Sequence, residues 1–509
     1  MKHLALVLVA VSIALALLAS NLRPDAFFVG DPGVKLIATR AALRTPSTPL
    51  DIPLPRIGRD AVPHVEPFFA VHDNTHAHAV TSEAFPLLSA PLLAMLGMRG
   101  LYVLPALGGV ATLAACAWLA FVLDPRRSVA LVATTAALGT PFLFYGLEFW
   151  EHTPALALGT TGAAWMLAVA RGNPGRHADT VPTFLAGLLM GGAIVLRPES
   201  AGFVVAVMLA SRALVHRPTW RSIAIALAGI ALAMVPLEAY TLWHTGSVVP
   251  LHVGTNAGLI GTSWWAERLH VAAGWLSPSL WTRGGPVHPS GFWSVAPAAV
   301  VAVLGLARGS ERHERTFLWL VALLTTVFVI AAAPNDGGGQ WGPRYLLFAY
   351  VPLVLLAVDT LQEWPRRRLL AGAAILLVLA AAGIWVQRAA YRSLRGTKAT
   401  YGRLVDFVAA NAEPGANVVT DLWWLDQLAA SALDGRNVLY APDSTTVKDI
   451  VRRLGELTTP SVVLFRSREE SADVRSWSDE TCYFEERRDE LPLRGLVAIH
   501  LRHRCGYKP

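Results

Sequence analysis

Several short segments bring together side chains that could do chemistry. Asp31-Pro-Gly-Val-Lys35 offers a carboxylate and an amine, Glu151-His152 an acid and an imidazole, Arg197-Pro198-Glu199 a guanidinium beside an acid, and Trp341-Gly-Pro-Arg344-Tyr345 a guanidinium flanked by aromatics. A carboxylate can take the proton of an attacking hydroxyl as general base. A guanidinium stays ionised and binds two oxygens of a phosphate at once, which stabilises charge on a departing phosphate. Each residue also has a plainer reading. Asp31 commonly starts turns, Lys35 suits a solvated loop, and Arg344 could snorkel at an interface. The helix macrodipole alone would favour Glu151 at a helix start, Arg197 and Glu199 could simply close their turn, and Glu148 reads as a solvated turn residue.

A further cluster, His72-Asp73-Asn-Thr-His76-Ala-His78, has ligand types that suit zinc. It lacks a His-Glu-x-x-His signature, so hydrogen bonding to an acceptor or phosphate, or ordinary loop structure, are the competing expectations. No metal or cofactor is assigned, with a divalent ion left open.

The elements that must position these groups are apolar. Of 509 residues 54% are hydrophobic and 16% charged, with mean hydropathy +0.44, against roughly 25% charged in ordinary soluble domains. The charge is uneven: 35 of the 122 residues from Arg388 onward are charged, against 44 of the preceding 387. A membrane module over 1–387, followed by a soluble domain over 388–509, is therefore expected. Apolar runs at 4–20, 101–123, 128–147, 153–170, 183–196, 201–215, 222–243, 291–307, 316–333, 345–361 and 369–387 predict about 11 transmembrane helices.

Basic residues such as Lys2, Arg126, Arg171, Arg217, Arg312 and Arg367 fall in every second gap. By the positive-inside rule the N-terminus is cytoplasmic and the C-terminal domain extracytoplasmic, in the cytoplasmic membrane of the cell. The net charge of +7 thus reads as topology, and nucleic acid is not expected as a partner. Residues 1–20 read as an uncleaved anchor, with a cleaved signal peptide as the alternative. The external loops are then 21–100 and 244–290, and the chemistry-bearing residues sit on or just beneath one face. Trp264, Trp265, Trp275, Trp281 and Trp293 are expected in an interfacial aromatic belt. The arms around Arg197-Pro198-Glu199 are too short to cross a full bilayer, which puts that turn inside the protein.

An activated lipid with its head at the interface suits this arrangement: a sugar on a polyprenyl phosphate, with a carboxylate activating the acceptor. Gly30-Asp31-Pro-Gly-Val-Lys35, Phe85-Pro86 to Pro91, Trp150-Glu151-His152-Thr-Pro154, Leu196-Arg197-Pro198-Glu199 and Gly339 to Tyr345 together resemble the glycosyltransferase C (GT-C) superfamily. The likeness is strongest to its bacterial integral-membrane members related to the protein mannosyltransferases, and it covers roughly 1–387. It implies a multi-spanning helical fold and transfer of a sugar (mannose or another hexose or pentose) from a polyprenyl-phosphate donor to an extracytoplasmic hydroxyl on a glycan, lipid or protein. It also implies a catalytic acid in the first external loop, which transfers onto Asp31, with inversion at the anomeric carbon. Arg344, Arg197 and Lys35 are the expected phosphate ligands. Asp73 and Glu83 are candidates for a second acid, and Glu151, His152, Glu199, His72, His76, Trp341 and Tyr345 for other site roles. The His-rich segment departs from the tyrosine-containing pattern of the family. A lipid-linked sugar flippase and a non-catalytic envelope-polysaccharide assembly protein are the alternatives.

The region after 388 alternates short strand patterns at 417–420, 437–440, 461–465, 482–486 and 496–501 with helical ones at 422–433 and 445–457. This predicts a small three-layer α/β domain. Cys482 and Cys505 could pair in an oxidising compartment, while Cys116, within a span, reads as inert.

Overall fold

The computed structural model describes the chain apart from residues 1, 46, 63, 72–73, 173–178, 247–263, 278–279, 282–287, 290, 307–312, 334–340, 364–368, 478 and 506–509. The chain forms two compact units, Met1–Leu22 with Leu101–Leu394, and Arg23–Gly100 with Arg395–Pro509. The first loop therefore groups with the C-terminal region and not with the spans that flank it. The sequence boundary at 387/388 falls inside one helix, Leu369–Asn411.

The first unit is helical, and among the described residues each apolar run it contains is mainly helix. Lys2–Ser20, His152–Arg171, Trp220–Trp243, His313–Ala332 and Arg344–Glu363 are each long and apolar enough to cross a bilayer. Lys2–Ser20 buries only Leu15 and leaves Leu6, Val9, Ile13 and Leu17 exposed, as a lipid-facing helix does. The run at 128–147 is broken in two, Val129–Gly139 and Phe142–Tyr145. Thr140 precedes Pro141 and is forced into an extended conformation. Small residues let the helices approach closely. A Cβ on Gly108 would lie 2.4 Å from the Pro154 nitrogen, and one on Gly187 would lie 2.0 Å from the Ala226 carbonyl. Leucine cannot replace glycine at such crossings without prising helices apart.

In the second unit, the segment expected to be an external loop up to residue 100 holds two helices, Asp31–Arg44 and Ala84–Leu96. The latter runs through a 3-10 turn, Gly97–Tyr102, into Val103–Leu123, so the apolar helical stretch starts well before residue 101. The apolar residues of Phe85–Leu96, interrupted by Pro86 and Pro91, hid this start.

A five-stranded sheet has the order Tyr483–Leu491, Leu496–His503, Ser461–Ser467, Asn417–Thr420, Asn437–Tyr440. The last three strands are parallel, Leu496–His503 is antiparallel to Ser461–Ser467, and Tyr483–Leu491 is antiparallel to Leu496–His503. Helix Ser444–Glu456, capped by Asp443 accepting from the Thr446 N–H at 2.8 Å, makes the crossover between parallel strands. Alternation with period 2 splits the apolar residues between the faces. Val419, Val462 and Leu464 pack with Val447, Ile450 and Leu454, whereas Val418, Val463 and Phe465 pack with Leu404, Val408 and Leu428. Ile57 and Val62 from the first loop join the former core and Ala26 the latter, which explains why segments so far apart in sequence form one unit. Cys482 and Cys505 are disulfide-bonded, tying the start of one edge-side strand to the end of its neighbour.

Candidate functional site

The sequence-derived site residues divide between the units. In the helical unit the Arg197-Pro198 junction shapes the local chain. Proline disfavours helix at the residue before it, so Arg197 is extended (φ −145°, ψ 104°), ending helix Thr180–Leu196, and Glu199 starts helix Ser200–Ala210. At 17 residues the first arm spans roughly 26 Å, short of the ~30 Å hydrocarbon layer, and Arg197 is buried. Its Nη1 donates to Glu151 Oε1 at 2.8 Å and its Nη2 to Glu199 Oε1. Glu151 precedes helix His152–Arg171, where the macrodipole favours an acid.

Two guanidiniums converge on one phenol. The Arg197 guanidinium carbon lies 5.6 Å from the Tyr345 ring centroid and that of Arg344 4.9 Å from it. Arg344 Nη2 also donates to the Tyr345 hydroxyl at 3.2 Å. Gly342, at φ +72°, turns the chain into the 3-10 segment Arg344–Ala349, and a Cβ there would lie 2.7 Å from Val295 Cγ2. The turn therefore requires glycine. Trp341 is buried, and its carbonyl accepts from the Tyr145 hydroxyl at 3.0 Å. Tyr145 in turn stacks on His152 at 4.7 Å and lies 5.3 Å from Trp150. Glu151, His152, Arg197, Glu199, Trp341, Arg344 and Tyr345 thus form one contiguous cluster. Glu148, expected in solvent, is fully buried beside it in sequence. Trp275, expected in the aromatic belt, is also buried and sits 5.7 Å from the Tyr345 ring, while Trp265 is exposed.

In the second unit Asp31 is the first residue of helix Asp31–Arg44, with Pro32 in its first turn. Gly30 and Gly33 let this turn lie against Gln427: a Cβ on Gly33 would come 1.7 Å from the Gln427 carbonyl oxygen. Asp31 is partly exposed, whereas Lys35, one turn on, is 1% exposed and so no solvated loop charge. Glu83 is buried immediately before helix Ala84–Leu96. His76 lies on strand His76–Ala79, with Nδ1 2.8 Å from the Thr75 hydroxyl, and His78 sits 3.5 Å from Asp51. His72 and Asp73 lie outside the described residues. Among the described residues no group of three or more His, Cys, Asp or Glu is placed to hold a metal ion.

Sequence reasoning missed two acids of this unit, Glu66 and Asp426. Neither stands in a motif, and only the fold brings residues 66 and 426 to one cavity.

No protein-family model matches the chain, and no curated protein matches it. Solved structures do. ArnT from Cupriavidus metallidurans bound to undecaprenyl phosphate matches with a TM-score of 0.63 at 12% identity, over 97% of each chain. The apo state of the same protein gives 0.59, also over 97% of each chain. The archaeal oligosaccharyltransferase AglB from Archaeoglobus fulgidus, in complex with an inhibitory peptide and a dolichol-phosphate, gives 0.48 at 11% identity, over 97% of this chain and 74% of its own. The chain has the fold of ArnT: a polytopic helical protein with apolar, membrane-length helices and an added domain built on a β-sheet.

Proposed function

We propose that this protein is a membrane glycosyltransferase that moves a sugar from a polyprenyl-phosphate donor to an extracytoplasmic hydroxyl. The observation that carries this reading is the pair of guanidiniums, Arg197 and Arg344, brought to one tyrosine within the membrane unit of a GT-C fold. Two guanidiniums in an apolar helical unit, Arg197 oriented by its carboxylate partners, suit a lipid phosphate, and the ArnT structure of the same fold is bound to undecaprenyl phosphate. Glu151 and Glu199 hold Arg197 in place, and Tyr345 braces Arg344.

In the proposed step Asp31 takes the proton of the acceptor hydroxyl as its oxygen attacks the anomeric carbon. The bond from that carbon to the phosphate oxygen breaks, and its electron pair leaves on the lipid phosphate against Arg344 and Arg197. Attack opposite the leaving group inverts the anomeric centre. Lys35 is assigned a supporting electrostatic role from its buried place one turn beyond Asp31. The N-terminus is assigned to the cytoplasm and the sheet-bearing domain to the outside, from the distribution of basic residues.

The test is transfer of radiolabelled sugar from polyprenyl phosphate in membranes lacking the native protein, with and without added chain. Transfer is expected with the chain and not with Asp31→Asn, at equal membrane insertion. Turnover retained by Asp31→Asn removes that residue from the role. Movement of the lipid-linked sugar across the bilayer without covalent transfer replaces the reading with a flippase.

A further inference from the structure

The unit formed by residues 23–100 and 395–509 holds a cavity of about 480 Å³, within the ~300–1,000 Å³ of small-molecule sites. Its charged lining is mixed. Arg40 donates to the Ala430 carbonyl at 2.8 Å and pairs with Asp434 at 3.4 Å; Arg44 also pairs with Asp434, and Arg436 donates to the Ala412 carbonyl at 2.7 Å. The structure already engages these guanidiniums.

The acids differ. Glu66 is 2% exposed, and its Oε2 accepts from Gln427 Nε2 at 3.1 Å. The two carboxyls also lie within hydrogen-bond reach of each other, which leaves Glu66 Oε1 and Asp426 Oδ1 as buried oxygens without a further partner among the described residues. Burial, and for Glu66 also the neighbouring Asp426 charge, raises both acids, Asp426 to about 6. Buried acceptors left in this state cost free energy that a donor-bearing ligand would recover. The charge balance selects among ligands. An anion would face the two acids, and a cation would face Arg40, Arg44 and Arg436. A neutral molecule rich in hydroxyls meets neither objection, and two adjacent carboxyls suit neighbouring hydroxyls.

We propose that this cavity binds a neutral saccharide ring, with Glu66 and Asp426 accepting its hydroxyls. The inference does not depend on the transferase reading, since neither acid is part of the proposed donor or base machinery. Saturation-transfer NMR on the full chain in detergent, with the methyl glycosides of mannose, glucose and galactose as probes, tests it. At least one glycoside is expected to bind. Glu66→Gln and Asp426→Asn are each expected to weaken it about tenfold, as loss of a buried acceptor does. Both variants are near-isosteric and relieve acid against acid, and far-ultraviolet circular dichroism checks that they fold. Asp31→Asn is expected to leave the signal intact, which separates this cavity from the transferase site. Binding by none of the glycosides overturns the proposal, as does binding that survives both acid substitutions. Preferential binding of glucosamine or calcium overturns the ligand class.

Discussion

Asp426→Asn gives a stability test with a definite sign. In the folded unit Asp426 is raised from its ordinary 3.8 to about 6, chiefly by burial. A raised acid favours folding in its protonated form. Its contribution is therefore fully present below about pH 4 and is lost as pH rises through about 6. A shift of this size corresponds to ~3 kcal/mol at most. Asp426 keeps some exposure and titrates together with Glu66, which reduces the expected effect to ~1–2 kcal/mol. Asparagine cannot ionise, so the variant should match the wild type near pH 4 and exceed it by that amount near pH 8. A domain this large shifts its Tm by ~2–4 °C per kcal/mol. Hydrogen exchange of peptides covering 417–440, followed through thermal unfolding at both pH values, assigns the readout to this unit. A variant that is less stable than wild type at pH 8, or that differs from it equally at both pH values, refutes the reasoning.

Other substitutions probe the remaining geometry. Arg197→Ala strands buried Glu151 and should cost ~3–5 kcal/mol, read as earlier thermal aggregation of the detergent-solubilised chain. Arg197→Lys keeps charge but loses the two-armed geometry, and should lower transfer more than stability. Arg344→Gln should raise the apparent KM for the lipid donor at unchanged expression, and an unchanged KM removes Arg344 from the phosphate. Gly33→Ala drives a methyl onto the Gln427 carbonyl and should destabilise the sheet-bearing unit by ~1–3 kcal/mol, measured by hydrogen exchange. Replacing Cys482 and Cys505 together by serine opens a bridge of sequence separation 23 and should cost ~3 kcal/mol in the same measurement.

The hydropathy pattern located the helices well because a span is a local property: an apolar run of sufficient length has few other fates. The strands after residue 417 were legible for a similar reason, each being a short apolar run ended by turn residues. The short arms beside Arg197-Pro198-Glu199 placed that turn inside the protein by length alone, and Arg197 is buried. What sequence could not show was partnership across distance. Glu148 looked like a turn residue because nothing in Glu148-Phe-Trp-Glu151 reports that its side chain is fully buried. Trp275 looked interfacial because a tryptophan beside a span usually is, yet it packs on Tyr345, 70 positions away. Helix Asp31–Arg44 was hidden by an Asp-Pro-Gly start that reads equally well as a turn. The acids at 66 and 426 carry no motif, and only tertiary structure brings them to one cavity.

The shared core of the sheet-bearing unit has a consequence for biosynthesis. Ala26, Ile57 and Val62 complete cores whose other members lie beyond residue 400, and Arg23 is clamped by Asp406. Residues 23–100 leave the ribosome roughly 300 residues before those partners, which at ~5–20 residues per second is a delay of roughly 15–60 s. During that interval the early segment has apolar side chains waiting for surfaces not yet made. A nascent chain stalled before residue 395 should therefore be open to proteolysis within 23–100, and release of the finished polypeptide should close that window.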